Sequence, residues 1–268
     1  MGKRTSYEPG TFSWVDLATT DQEGAKAFYS GLFGWHTEDS PIPGGGAYTM
    51  CSLDGVDVAG IGPLPEQQRE MGVPPHWNNY VTVESADATA DRVQELGGQV
   101  LAPAFDVMDA GRMAVLADPT GAPLSVWEPR DHIGAGLVNA PGTLTWNDLA
   151  TTDVGAASSF FSDLFGWTFE ELDTGGGPAY WVIGHSGATS GRNGGARELA
   201  PDQANAEIPP HWMPYFAVES ADATAERAQE LGGGLAFGPM DLPSGARIAS
   251  LHDPQNAFFA IFAGEFDD

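Results

Sequence analysis

Two aspartates in matching sequence settings are the side chains best placed to do chemistry. Asp16 and Asp148 each begin the hexapeptide DLATTD, and each follows a tryptophan, Trp14 or Trp146, by two residues. Because residues two apart in a strand point to the same face, each carboxylate shares a face with an indole. An unpaired carboxylate on an inward face is costly, so each is expected to be hydrogen-bonded, paired with arginine or in contact with a polar ligand. A structural pair and a catalytic base are both open interpretations.

Two arginines at equivalent strand positions, Arg112 and Arg247, are the expected partners of these carboxylates. They would form structural ion pairs with aspartate or help to bind a ligand. His76 and His211 each follow Pro-Pro and precede Trp. We interpret both histidines as shaping the loop that enters a strand, with metal ligation as the alternative.

These candidates occur in pairs because the chain repeats itself. The repeated motifs are DLATTD (from residues 16 and 148), LFGW (32 and 164), PPHW (74 and 209), ESADATA (84 and 219) and QELGG (94 and 229). The spacing is 132 residues for the first two motifs and 135 for the others, so the second copy carries three extra residues. The Gly- and Asn-rich stretch around 186–203 is their predicted place, and 131–141 is the predicted linker.

The elements that must position these side chains follow from the hydrophobic pattern. In the first copy the pattern predicts a strand at 11–18, a helix at about 21–33 begun by a capping box of Thr20 and Glu23, and strands at about 35–38, 47–53 and 56–62. The order then recurs as a strand at about 78–84, a helix capped by Ser85, and further strands ending with 111–117 and 122–128. Each copy is therefore β-α-β-β-β twice over, and the chain holds four such modules.

The composition excludes several classes of function. The formal net charge is −26, from 37 acidic and 11 basic residues, and such a surface repels nucleic acid and anionic lipid. No run of eighteen apolar residues predicts a membrane span, and the N-terminus lacks the apolar stretch of a secretory signal. A single cysteine, Cys51, fits a reducing compartment. We therefore expect a cytoplasmic protein, monomeric or homodimeric, whose partner is a small molecule.

Two stretches carry a resemblance to a known family. WVDLATTDQEGAKAFYSGLFGW resembles the first strand and helix, and DPTGAPLSVWE the closing hairpin, of the vicinal-oxygen-chelate (glyoxalase/bleomycin-resistance/dioxygenase) superfamily. The tandem form resembles two-domain actinobacterial members. The resemblance implies an α+β fold of two tandem glyoxalase-like domains, at residues 10–131 and 142–266, whose four βαβββ modules form half-open barrels around pockets. It does not say whether modules pair within a copy or across copies.

The resemblance also implies where a metal ion would bind in members that use one. The matching positions are Trp14, Asn78 and Ser125 in the first copy and Trp146, Met213 and Ala260 in the second. Indole, thioether and methyl groups do not ligate a divalent cation of the kind this family uses. We therefore predict no metal and no other cofactor.

The same positions define the predicted sites. Tyr80 and Tyr215 share a strand face with Asn78 and Met213, so we predict that they act beside Asp16 and Asp148 as catalytic residues. The predicted substrate-binding residues are Trp14, Asn78, Arg112, Ser125, Trp127, Trp146, Met213 and Arg247. A packed tyrosine or a core tryptophan is the structural alternative at these positions.

Three functions compete on this basis. The first is a metal-independent lyase, isomerase, cyclase or hydroxylase that transforms a small aromatic or polyketide-like metabolite. The second is a protein that sequesters an antibiotic, which needs aromatic walls but no acid or base. The third is metal-dependent glyoxalase or dioxygenase chemistry, which the absent ligands disfavour.

Overall fold

A computed structural model describes residues 2–42, 45–185, 191–200, 203 and 208–265. A short strand β1 (Gly2–Lys3) precedes the first copy. The first module is β2 (Phe12–Thr19), α1 (Gln22–Phe33), β3 (His36–Pro41), β4 (Ala47–Leu53) and β5 (Val56–Pro63). After a short helix, α2 (Glu66–Glu70), the second module is β6 (His76–Thr82), α3 (Ala86–Glu95), β7 (Gln99–Val107), β8 (Gly111–Ala117) and β9 (Pro123–Pro129).

The second copy repeats this order after a linker strand, β10 (Leu137–Val138), which pairs antiparallel with β1. The third module is β11 (Leu144–Thr151), α4 (Val154–Phe165), β12 (Thr168–Leu172), β13 (Tyr180–Gly184) and β14 (Arg192–Glu198). The fourth is β15 (His211–Ala217), α5 (Ala221–Glu230), β16 (Gly234–Asp241), β17 (Arg247–His252) and β18 (Phe258–Ala263). The predicted four βαβββ modules are confirmed.

Each copy forms one eight-stranded sheet. The strand orders are β3-β4-β5-β2-β6-β9-β8-β7 and β12-β13-β14-β11-β15-β18-β17-β16. The first strands of the two modules pair antiparallel at the centre, where Trp14 lies opposite Tyr80 and Asp16 opposite Asn78. The sheets are therefore built within copies, as half-open barrels that curve around a concave face.

The cores on the helix side of the sheets are shared between copies. One cluster packs Phe28, Tyr29 and Phe33 of α1 against Phe216 and Phe259 of the second copy. The other packs Phe160 and Phe161 of α4 against α3 and strands β6, β8 and β9 of the first copy. Each module thus shares a sheet with one neighbour and a core with another.

The tryptophans of the two LFGW motifs stabilise the packing of the two copies through equivalent hydrogen bonds. The Trp35 indole nitrogen donates to the carbonyl oxygen of Gly142 at 2.7 Å, and that of Trp167 donates to Gly10 at 2.7 Å. Both indoles are buried. Each copy is therefore anchored to the glycine that precedes the first strand of the other copy.

The extra residues of the second copy can be located from the structure. Tyr48 and Tyr180 are equivalent at a spacing of 132 residues, whereas Gly60 and Gly195 are equivalent at 135. The extra residues thus belong to the connection from β13 to β14, within the predicted stretch 186–203. Residues 186–190, 201 and 202 of that stretch lie outside the described residues. Among the described residues, no helix has the length and apolar character needed to cross a membrane.

Candidate functional site

A buried carboxylate network occupies the concave face of the first copy. Asp16 accepts hydrogen bonds from Tyr48 at 3.1 Å, Tyr80 at 2.9 Å and Asn78 Nδ2 at 2.8 Å. The Trp14 indole nitrogen donates to the Tyr48 hydroxyl oxygen at 3.0 Å. Burial raises the pKa of Asp16, although the three donors act in the opposite direction. Three polar donors on the two strands β4 and β6 thus stabilise one carboxylate.

The second copy repeats the network with one change. Asp148 accepts hydrogen bonds from Tyr180 at 2.7 Å, Tyr215 at 2.9 Å and the indole nitrogen of Trp146 at 2.9 Å. Met213 stands where Asn78 stands in the first copy, so the tryptophan replaces the amide as third donor. Burial raises the pKa of Asp148 as well.

The tyrosines of both networks act as hydrogen-bond donors. Burial and the neighbouring carboxylate raise the pKa of Tyr80 and Tyr215 well above the ordinary value. The same causes raise the pKa of Tyr48 and Tyr180. All four hydroxyls therefore keep their protons around neutral pH. Strand parity in the sequence predicts that each aspartate shares a face with a tyrosine. In the structure Asp16 lies with Tyr80 on the concave face of the first copy, and Asp148 lies with Tyr215 on that of the second.

Tyr48 and Tyr180 were missed by reasoning from the sequence. Each lies on the strand two places from the central one, and its hydroxyl reaches the aspartate over Gly60 or Gly195. A Cβ atom at either glycine would occupy the place of the tyrosine hydroxyl. The available signal was an Ala-Tyr pair repeated at the 132-residue spacing, but nothing in the sequence indicated that its strand turns toward the aspartate.

The structure does not place Arg112 and Arg247 beside Asp16 and Asp148 on the concave faces; it shows instead the alternative interpretation, a structural ion pair of each arginine with another aspartate. Arg112 donates to both carboxylate oxygens of Asp87 on α3, at 2.6 and 2.9 Å, and Arg247 to those of Asp222 on α5, at 2.7 and 2.9 Å. Both arginines therefore point to the helix side of the sheets, away from Asp16 and Asp148. The reason is strand parity, since Ala114, two residues after Arg112, belongs to the core under the helices.

Ser125 and Trp127 lie on the predicted concave face of the first copy. Ser125 is buried and lies opposite Tyr80 in the parallel pair of β6 and β9. The Trp127 ring lies edge-on to Tyr80, with centroids 6.5 Å apart. Their counterparts in the second copy are Ala260, which is buried, and Phe262, which is partly exposed.

The linker between the copies covers the part of the first concave face that holds Trp14 and Trp127. The Trp127 indole nitrogen donates to the carbonyl oxygen of His132 at 2.8 Å, and the His132 ring lies 4.6 Å from that of Trp14. Ala135 and Val138 pack with these tryptophans in one buried cluster. Trp14 and Trp127 are consequently only 5% and 7% exposed.

Two surface cavities of about 150 and 340 Å³ lie elsewhere. The smaller is lined by α3 and β7, including Asp87, Ala90 and Val100. The larger lies between α3 and the end of α4, beside Arg92 and Phe165. Neither is lined by a predicted site residue, so the candidate site is a concave sheet face rather than one of these hollows.

The residues at the family's metal positions do not fit a metal ion. Both oxygens of Asp16 already accept hydrogen bonds from Asn78, Tyr48 and Tyr80. His76 and His211 each direct Nδ1 at a proline carbonyl, at 2.8 and 2.9 Å. In the part of the chain that the structure describes, no three His, Cys, Asp or Glu side chains are grouped to hold a metal.

Comparisons with known proteins agree with this architecture. The family model of the Glyoxalase/Bleomycin resistance protein/Dioxygenase superfamily matches residues 11–126 and again 138–261. CFP32 of Mycobacterium tuberculosis (strain CDC 1551 / Oshkosh), provisionally named a glyoxylase, is 46% identical over 262 residues, covering 97% of each chain. The anthracycline biosynthesis protein DnrV of Streptomyces peucetius is 37% identical over 267 residues, covering 96% of this chain and 94% of its own.

Solved structures of low identity share the fold. The 2,3-dioxygenase LapB from Pseudomonas sp. KL28 aligns with a TM-score of 0.67 at 13% identity, over 98% of this chain and 94% of LapB. The Mn(II)-bound glyoxalase from Novosphingobium aromaticivorans aligns with a TM-score of 0.63 at 14% identity, over 98% of this chain and 86% of its own. At these identities the likeness concerns the fold alone.

Proposed function

The chain belongs to the Glyoxalase/Bleomycin resistance protein/Dioxygenase superfamily, and we propose that it binds and transforms a small aromatic or polyketide-like metabolite in the cytoplasm without a metal ion. The observation that carries the proposal is the pair of buried carboxylates at the centre of the concave faces. Each carboxylate is surrounded by hydroxyl donors and an indole. Relatives named for a glyoxylase and for anthracycline biosynthesis support an enzyme of small-molecule metabolism.

The network suits proton transfer. A carboxylate with a raised pKa is a stronger base than an exposed one. The Tyr215 hydroxyl donates a hydrogen bond to Asp148. When the tyrosine oxygen takes a proton from the substrate, the tyrosine's own proton passes to the carboxylate of Asp148. Return of a proton to a different substrate atom completes an isomerisation. The same two transfers assist a cyclisation, whereas hydroxylation would also require an oxygen-donating co-substrate.

Sequestration of an antibiotic is the second candidate. A partly exposed aromatic side chain favours it, because Trp146 lies on the second concave face and is partly exposed. Binding alone, however, does not explain the buried carboxylate and its three donors. Burying a charge or a polar donor costs free energy, and a protein that only stacks on an aromatic ligand does not need either group.

The two candidate functions predict different effects of substituting the two aspartates. Small molecules released from the purified protein would be identified by mass spectrometry and returned to wild type, Asp16→Asn and Asp148→Asn. For an enzyme we expect turnover to fall by about 10²–10⁴-fold in the variant of the working copy, with affinity little changed. Asp91→Asn, on the exposed surface of α3, is the matched control. A protein that returns the compound unchanged and whose variants differ only in affinity is a sequestering protein.

A further inference from the structure

We infer that the second copy alone provides the ligand site and that it takes a planar aromatic acid whose anionic group lies against Arg197. This inference rests on the proposed function for the choice of the concave face. It adds to that function the identity of the working copy, the chemical class of the ligand and a specificity residue.

The two concave faces differ in what covers them. In the first copy His132, Ala135 and Val138 of the linker pack on Trp14 and Trp127. Tyr7 fixes this linker by donating its hydroxyl to Ala135 at 2.6 Å. The place where a flat ligand would stack is therefore filled by the protein's own chain.

The equivalent surface of the second copy is accessible. Trp146, Met213 and Tyr215 are all partly exposed, whereas Trp14 and Tyr80 are buried. Among the described residues, no buried cluster covers Trp146 in the way that the linker covers Trp14. A partly exposed indole and a nearby methionine form a suitable surface for an aromatic ring.

Arg197 lies on this same face. Asp148 is in register with Gly195 on β14 and Met213 on β15, and Ala150 is in register with Arg197 and His211 on those strands. Paired residues in a sheet point to the same side, so Arg197 and His211 continue the face that Trp146 and Asp148 begin. In the first copy Gly62 occupies the position of Arg197, so that position carries no side chain.

The charge of Arg197 acts on the titratable groups of this face. Burial raises the pKa values of Asp148 and Tyr215, and the positive charge of Arg197 opposes that rise. Burial lowers the pKa of His211, and Arg197 adds to that effect. Its described hydrogen-bond partners are neutral, namely Gln203 Oε1 at 2.9 Å and the carbonyl oxygen of Glu198 at 3.3 Å. By contrast, Arg112, Arg247 and other arginines of this acidic chain are paired with carboxylates. A partly buried arginine with neutral partners attracts an anionic oxygen.

The spacing sets the size of the ligand. Trp146 and Ala150 are four residues apart, which is about 13 Å at 3.3–3.4 Å per residue. Arg197 lies in register with the far end of this span. A ligand of two or three fused rings, with a carboxylate or acidic phenol at one end, would therefore stack near Trp146 and reach the guanidinium.

The test uses two probes of equal shape, 2-naphthoate and its neutral amide, 2-naphthamide. Binding is followed by calorimetry and tryptophan fluorescence on wild type, Arg197→Gln, Trp146→Ala and the control Arg227→Gln, whose arginine is paired with Glu230 on the exposed side of α5. We expect one naphthoate per chain, bound more tightly than the amide. Arg197→Gln should weaken naphthoate binding by roughly 10- to 100-fold and leave the amide unchanged, since a charge-assisted contact is lost. Trp146→Ala should weaken both probes several-fold.

Four results would overturn the inference: no binding of naphthoate at millimolar concentration, two sites per chain, equal affinity for the two probes, or no effect of Arg197→Gln. Light scattering with and without naphthoate measures the oligomeric state and so tests whether a second copy of the chain occupies this face. A dimer that naphthoate dissociates would show that the face is an interface instead. Because these readouts need no turnover, they are independent of the loss of turnover in Asp148→Asn that tests the proposed function.

Discussion

At the scale of the residue, the two aspartates are held in place by donors rather than by opposite charges. Asp148 has two hydroxyls and an indole nitrogen within 2.9 Å. Hydrogen bonds stabilise the ionised carboxylate, while burial disfavours it, and burial prevails in the direction of the pKa. The result is a buried acid that exchanges its proton at a higher pH than an exposed aspartate does.

The raised pKa of Asp148 has a consequence for stability. The folded protein holds this proton more tightly than the unfolded chain, so the group stabilises the fold at low pH. That contribution is lost as the pH rises from about 4, the unfolded value, through the folded pKa. We expect the free energy of unfolding of wild type to decline relative to that of Asp148→Asn across this window and to run parallel above it.

Urea unfolding of both proteins between pH 4 and pH 8 measures this difference. Subtracting one curve from the other cancels Asp87 and Asp222, whose pKa values are lowered by their arginines and which give the opposite slope. Curves that stay parallel from pH 4 upward would show that the pKa of Asp148 is not raised.

Strand parity predicted part of this site from the sequence. A period of two placed Trp14 and Asp16 on one face, and the repeat carried the placement over to Trp146 and Asp148. Parity between separate strands was less secure. Arg112 was assigned to the concave face, but its strand β8 presents it to α3. Tyr48 could not be found because its contact with Asp16 depends on the parallel pairing of β5 with β2, which local sequence does not specify.

At the scale of the element, most strands and helices were predictable because their limits have local causes. The predicted strands 47–53 and 111–117 match β4 and β8, and Ser85 caps α3 as expected. The cap of α1 was wrong. Asp21, not Thr20, accepts the hydrogen bond from the Gly24 backbone nitrogen at 3.0 Å. Both residue types suit a cap, and only the exit of the chain from β2 decides between them.

The glycines on β5 and β14 are required by the tyrosines beside them. A Cβ at Gly195 would coincide with the hydroxyl of Tyr180, so Gly195→Ala should displace that hydroxyl from Asp148. In a double-mutant cycle with Tyr180→Ala, we expect the cost of Gly195→Ala to shrink once the ring and its hydroxyl are gone. Urea unfolding of the four proteins gives the coupling energy. Gly62→Ala is the control, because its Cβ would meet the Tyr48 ring at an ordinary 3.5 Å. Additive costs in the cycle would show that the glycine serves another purpose.

At the scale of the whole molecule, the four modules are joined in two ways, through the sheets and through the cores. Sheets form within each copy, whereas the aromatic cores join α1 to the fourth module and α4 to the second. The sequence left these pairings open because every module has the same pattern and could pair with any other. Cross-copy bonds such as that from the Tyr29 hydroxyl to Asp253 Oδ2, at 3.2 Å, specify the observed arrangement.

The shared cores imply that the two copies unfold together. Phe259 of the second copy is fully buried, with its ring 5.6–6.3 Å from those of Phe28, Tyr29 and Phe33 on α1 of the first copy. Phe259→Ala should therefore lower the free energy of unfolding by about 3–5 kcal/mol and accelerate hydrogen exchange in α1 as well as in β18.

The neighbouring Phe258 supplies the control for this prediction, because it is 49% exposed on the opposite side of the same strand. Phe258→Ala should change stability by no more than about 0.5 kcal/mol and leave exchange in α1 unaltered. Urea unfolding combined with exchange followed by mass spectrometry distinguishes the outcomes. If Phe259→Ala accelerated exchange only within the second copy, or produced two separate unfolding transitions, the copies would be independent domains. The linker that covers Trp14 would then connect two units that stand alone instead of closing one half of a single cooperative structure.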